Sequence, residues 1–103
     1  MSTKSLLRGL RPMHPGKLLR EEILPAVDRP KAEIARLLGV SRQHLYDILD
    51  ERKPVTPAMA VRLGKLFGNG PELWLDLQSA YDLAAVTKKL AAELKKIPTL
   101  TAA

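Results

Sequence analysis

The chain has no cysteine. That excludes disulfides, thiolate metal sites and cysteine nucleophiles, and it fits a reducing compartment such as the cytoplasm. Aromatic residues are scarce: Tyr46, Phe67, Trp74 and Tyr81 are all there are. The core must therefore come from Leu, Ile, Val and Ala, which suits helices. No apolar run approaches the ~20 residues needed to cross a bilayer. The stretch MSTKSLLRGLRP lacks the continuous apolar segment of a signal peptide. Alternating apolar and polar residues, the signature of strands, are missing, as are internal repeats and low-complexity tracts. The two histidines, His14 and His44, stand alone without metal-ligand spacing. Gly68-Asn69-Gly70 is too short for a phosphate-binding loop and follows a helix rather than a strand. Nothing points to catalysis, a metal or a cofactor.

What remains is a 103-residue chain with 17 Lys and Arg against 11 Asp and Glu, a formal net charge of +6. The length suits one domain. The positive balance favours polyanionic partners, nucleic acid above all, although it is weak evidence by itself.

Helix starts and stops divide the chain. Residues 1–12, with Lys4, Arg8 and Arg11, read as a flexible basic arm, and residues 13–97 as the folded domain. His14-Pro15-Gly16 opens a first helix, with Pro15 at its first position, running to about Leu24 with Leu18, Leu19 and Ile23 inward. Pro30 fits the first turn of a second helix, capped by Asp28 or Arg29, Asp28 being the better cap by chemistry. Ser41 caps a third helix that ends near Leu49 or Asp50. Thr56-Pro57 starts a fourth, with Ala60, Leu63, Leu66 and Phe67 as its buried stripe. Pro71 starts a fifth, with Leu73, Trp74, Leu77 and Tyr81 inward. Beyond Tyr81, Leu83, Val86, Leu90, Leu94 and Ile97 continue at steps of three and four, an amphipathic extension of helix five stopped by Pro98. Residues 98–103 read as a disordered tail. The class is all-α, five helices and an extension.

Within it, residues 31–49 are the most informative. Ile34, Ala35, Leu38, Val40, Leu45 and Ile48 are spaced so that two short helices bury their inner faces across a turn. Ala35 permits close approach, and Gly39 supplies the positive φ of a turn leaving a helix. This is the spacing of a DNA-binding helix-turn-helix, whose second helix enters the major groove. With Leu45 and Ile48 inward, its outward residues are Ser41, Arg42, Gln43, His44, Tyr46 and Asp47. Arg42 suits a guanine edge and Gln43 an adenine edge. They lead the base-reading candidates, with Asp47 and His44 behind them. Asp47 either accepts from cytosine or holds Arg42 or Gln43 in place. The phosphate candidates are Lys31, Ser41, Tyr46, Arg52 and Lys53; the last two are equally readable as a solvated cluster balanced by Asp50 and Glu51. Dimerisation would join two modules on adjacent half-sites. The candidate surface is Trp74, Leu83, Val86, Leu90 and Leu94. The competing reading packs Trp74 into the core, and Leu83 and Val86 back upon it.

MHPGKLLREEIL at 13–24, IARLLGVSRQHLYDIL at 34–49, VTPAMAVRLGKLFG at 55–68 and PELWLDLQSAYDL at 71–83 together resemble the HigA-type antitoxins, a branch of the Cro/repressor helix-turn-helix class. The resemblance covers about residues 13–86. It implies a lambda-repressor-like fold in a bacterial, cytoplasmic homodimer. It also implies binding to the operator, as double-stranded DNA, of the protein's own toxin–antitoxin operon, and neutralisation of a HigB/RelE-like mRNA-cleaving toxin. The alternative is a stand-alone repressor with no toxin partner. By the same resemblance Ser41, Arg42, Gln43 and Asp47 read DNA, backed by Lys31. Two places depart from the pattern, three residues in all. Pro30 and Lys31 stand where such proteins often have a Ser or Thr cap and a glutamine, and Glu51 stands where a glycine is common.

Overall fold

The computed structural model describes residues 12–102, and every regular element among them is helical. The expected basic arm, with Lys4, Arg8 and Arg11, lies outside the described residues except for Pro12. Six helices follow one another. α1 (15–27) is built from Pro15–Leu18, a π turn at Leu19–Ile23, and Leu24–Val27. After it come α2 (Lys31–Leu38), α3 (Arg42–Leu49), α4 (Pro57–Phe67), α5 (Pro71–Lys89) and α6 (Ala91–Leu94).

α1 begins as expected, with Pro15 in its first turn, but it outruns its expected end at Leu24. Pro25 has no N–H to give, and its ring crowds the carbonyl four residues back. The π turn just upstream, closed by the Leu24 N–H on the Leu19 carbonyl, widens the helix at that place and lets it continue.

Asp28 does not cap α2. It ends α1, in the left-handed region at φ 49°. Pro30 is the N-cap rather than a first-turn residue. Its carbonyl, in an extended conformation, accepts from Glu33 N–H at 3.0 Å and Ile34 N–H at 3.1 Å. No side chain caps α2. Gly39 closes the helix at φ 74°, as the turn requires.

The core gathers Leu19, Leu24, Ile34, Ala35, Leu38, Leu45, Ile48, Leu49, Val55, Met59, Ala60, Leu63 and Trp74. α4 packs along α5, while α2 and α3 pack on each other and on α4 and α1 respectively. Trp74 lies at the centre, 0 % exposed. Its indole N–H donates to Asn69 Oδ1 at 3.0 Å, and Phe67 is tilted against it. That removes Trp74 from the partner surface: a side chain with no exposed area and a satisfied polar atom has nothing to offer another chain.

α5 runs unbroken past the core to Lys89. Leu90, at φ −94° and ψ 10°, then separates it from α6, so the extension is two helices rather than one. Leu83 and Val86 do not pack back on the core. They are 66 % and 49 % exposed, and Leu90, Leu94 and Ile97 are exposed with them. The last buried residue of α5 is Gln78, and the helix runs on for about three turns beyond it. Residues 98–102 carry no regular structure.

Gly16 is where α1 meets α3. A Cβ there would collide with the main-chain carbonyl of Ile48, which cannot swing aside as a side chain would. Gly16→Ala is expected to destabilise the domain by ~1–3 kcal/mol, the usual cost of overpacking. Thermal denaturation followed by circular dichroism measures it, and an unchanged melting temperature would refute the contact.

Candidate nucleic-acid interface

α3 starts cleanly. Ser41 Oγ accepts from His44 N–H at 3.0 Å and so satisfies one of the orphan donors of the first turn. Its hydroxyl hydrogen donates to none of the described residues. Leu45, Ile48 and Leu49 face the core, with exposures of 0, 0 and 2 %. This fixes the rotation of the helix about its own axis and turns Ser41, Arg42, Gln43 and Tyr46 outward; His44 is half-buried. Arg42 makes none of the ion pairs found among the described residues.

Asp47 is engaged rather than free. Gln43 Nε2 donates to its Oδ1 at 2.8 Å. Arg52 Nη2 lies 3.3 Å from Oδ1 and Lys53 Nζ lies 3.4 Å from Oδ2. The Gln43 hydrogen bond is the largest cause holding the carboxyl below its ordinary range; burial opposes it, and the Lys53 and Arg52 cations add smaller lowering effects. Of the two sequence readings of Asp47, the arrangement matches the one in which it holds Gln43. Arg52 also pairs with Asp50 at 3.0 Å, so the loop cations sit in a charge cluster at the end of α3. Glu51 stands apart from that cluster and pairs with Arg20 of α1 at 3.4 Å.

Lys31 opens α2 beside this face. Its ammonium lies 5.9 Å from the centroid of the Tyr46 ring, within reach of a cation–π interaction. Tyr46, 39 % exposed, thus serves as a platform under Lys31 while keeping its edge in solvent. No side chain caps α2, and of its first-turn N–H groups Glu33 is already taken by the Pro30 carbonyl. Ser41, Arg42, Gln43, Tyr46, Lys31, Arg52 and Lys53 therefore share one region around α3. Leu83, Val86, Leu90 and Leu94 belong to α5 and α6 instead. No group of three or more metal-ligating side chains occurs among the described residues, and no helix there is long and apolar enough to cross a membrane.

No protein-family model matches the chain. Individual proteins do. Antitoxin HigA of Pseudomonas aeruginosa, solved with the higBA promoter, is 37 % identical over 88 % of this chain and 100 % of that one, with a TM-score of 0.83. An addiction-module antidote protein of the HigA family from Coxiella burnetii is 35 % identical over 89 % of this chain and all of its own, with a TM-score of 0.79. Among curated proteins, the HTH-type transcriptional regulator YbaQ of Escherichia coli K12 is 35 % identical over 92 residues, covering 87 % of this chain and 81 % of that protein. The chain belongs to the HigA antitoxin family. It is a helix-turn-helix regulator of that type, and the relatives are named as antitoxins and transcriptional regulators rather than as enzymes.

Seen as a HigA protein, its two departures acquire a structure. Pro30 replaces a side-chain cap with its own carbonyl. Glu51 takes the glycine-like conformation directly, at φ 62°, and its carboxylate is tied to Arg20. Such a conformation costs a non-glycine residue of order 1 kcal/mol, and the surroundings must hold it in place.

Three positioning residues escape a reading of the sequence. Arg20 donates to the Leu49 carbonyl, reaching from α1 to the C-terminus of α3, and its partner is 29 residues away. No local pattern announces that contact. Gln78 is 6 % exposed; its Oε1 accepts from Val55 N–H at 2.8 Å and its Nε2 donates to Asp82 at 2.9 Å, pinning the loop after α3 onto α5. The glutamine stands within the QSAYDL part of the family-like block, which is the signal that marks it. His14 is the third. It is 3 % exposed, its Nδ1 accepts from Gly16 N–H at 2.9 Å as the cap of α1, and its ring meets Tyr81 edge to face at 5.1 Å.

A proton on His14 Nδ1 would break that cap. Burial lowers the pKa of the ring below 6.5, against weaker raising effects of Glu51, Asp82 and the Lys53 backbone, and Arg20 adds to the lowering. The folded state therefore binds this proton less readily than the unfolded chain. Its contribution to stability is full above about pH 6.5 and falls as the pH drops below that value through the lowered folded pKa. Melting temperature is expected to decline between about pH 7 and pH 5.5 in the native protein, and His14→Asn, which keeps a capping acceptor, is expected to flatten that part of the profile. Equal slopes in the two proteins would show that His14 is not the titrating group.

Proposed function

We propose that this protein is a sequence-specific DNA-binding antitoxin that represses its own toxin–antitoxin operon. The observation that carries this is the exposure of Arg42 and Gln43 at the capped N-terminal turn of a helix whose other face is locked into the core. Recognition helices read base edges with those first turns. Arg42 suits the O6 and N7 acceptors of guanine, and Gln43 suits adenine N6 and N7, each bidentate pair discriminating by ~1–3 kcal/mol. His44, half-buried, is a lesser contributor. Lys31, Ser41 and Tyr46 contact phosphates on one side of the groove, with Arg52 and Lys53 on the other. The net charge of +6 favours the encounter.

A single module of this size covers a small footprint. The protein acts as a homodimer, with the exposed Leu83, Val86, Leu90 and Leu94 stripe of α5 and α6 as the contact between copies. The two modules then address half-sites about one helical turn apart. Its protein partner is a HigB/RelE-like mRNA-cleaving toxin. Support for that comes from membership of the HigA family and from the likeness to an antitoxin solved with a higBA promoter. The setting is the bacterial cytoplasm.

Binding to the DNA upstream of the gene tests the groove contact. Arg42→Ala is expected to lose preference at one base pair, with operator affinity falling ~5- to 150-fold. Lys31→Ala is expected to weaken all sequences about equally and to lower the salt slope by about one. If both variants match the native protein in affinity and selectivity, this face does not read DNA. For the toxin, co-expression with the product of the neighbouring gene is expected to give a co-purifying pair and to rescue growth. A toxic neighbour that this chain neither binds nor silences would leave repression alone as its role.

A further inference from the structure

We infer that Asp47 is a specificity-determining positioning residue, which aligns the Gln43 amide and occupies Arg52 and Lys53 in place of DNA phosphate. The inference rests on the groove reading above and deepens it. A carboxylate only accepts hydrogen bonds, so the 2.8 Å contact commits one N–H of Gln43 to Asp47 and settles which way the amide faces. Gln43 keeps Oε1 and its second N–H, one acceptor and one donor, the complement that an adenine edge asks for. The amide is thereby ordered before DNA arrives, and little rotamer freedom is left to lose on binding.

The other side of the same carboxylate meets Arg52 at 3.3 Å and Lys53 at 3.4 Å. Asp47 is only 14 % exposed, whereas Arg52 and Lys53 are 63 % and 54 % exposed. The anion is thus largely covered, and the cations are exposed chains that reach over it. A DNA phosphate must compete with Asp47 for both, and for Arg52 also with Asp50 at 3.0 Å. Competition of this kind falls on every duplex alike. Base contacts are added only at the operator. The effect is to lower the sequence-independent part of the affinity for operator and other duplexes by the same factor, so that base contacts make up a larger share of what holds the operator.

Two substitutions separate the two sides of Asp47. Asp47→Asn keeps an acceptor for Gln43 and removes the charge; Asp47→Ala removes both. Asp50→Asn is the control, because Asp50 touches Arg52 but not Gln43. The probes are the upstream duplex, its single-base-pair variants and a scrambled duplex, titrated by fluorescence anisotropy from about 50 to 200 mM salt. Asp47→Asn is expected to bind the scrambled duplex several-fold more tightly, with a salt slope steeper by up to about two, and to retain base preference. Asp47→Ala is expected to gain the same slope and to lose about fivefold in preference at the adenine read by Gln43. Asp50→Asn is expected to steepen the slope by no more than about one and to leave preference unchanged. Melting curves verify that each variant is folded. A native protein that selects its operator while both Asp47 variants keep its slope and preference would overturn the inference and leave the groove reading intact. A native protein that selects no duplex would overturn both.

Discussion

A side chain meets a base edge reproducibly only if the helix that carries it cannot roll. α3 is eight residues long, too short to be stable by itself in water. Its orientation comes from outside: Leu45, Ile48 and Leu49 sink into the core, the α2 face supplies Ala35 at close range, and Gly16 lets α1 lie against the Ile48 carbonyl. Everything said about base or phosphate contact depends on that locked rotation. A roll of one residue, about 100°, would bring an apolar side chain to the surface in place of Arg42 or Gln43.

The C-terminal end of α3 is held as firmly as its start. Arg20 donates to the Leu49 carbonyl and also pairs with Glu51, while the Gln78 amide receives Val55 N–H from the same loop. Charge-assisted bonds to a helix C-terminus are favourable because the last carbonyls lack intrahelical partners. The loop bearing Arg52 and Lys53 is thus fastened at both ends, and its cations project from a defined base rather than from a floppy connection.

Much of this was legible in the sequence. The helix-turn-helix spacing, the caps at Ser41 and Thr56, the positive φ at Gly39 and the outward row of α3 are local properties, set by residues within a few positions of one another. What was not legible depends on distant partners or on competing local options. Asp28 is a good cap by chemistry, yet Pro30 fixes the backbone so that its own carbonyl does the work and Asp28 falls at the end of α1. Trp74 reads first as core and second as an anchor for a partner, and only Asn69 beside its indole decides between them. Leu83 and Val86 follow a helical period that says which face they share but not whether anything covers it.

The π turn at Leu19–Ile23 carries a consequence for comparing this chain with others. A wide turn holds one residue more than an ordinary one at nearly the same rise, so a helical wheel drawn continuously through 15–27 runs out of phase by roughly a quarter turn. Leu18 precedes the wide turn and Leu19 opens it, while Leu24 and Val27 follow it, and both sets still reach the interior. In an alignment, a related protein with a regular helix here would show a single-residue gap inside a helix, where gaps are usually disallowed. Forcing the gap closed would displace His14 and Gly16 from their true counterparts and hide the residues on which the first helix is seated.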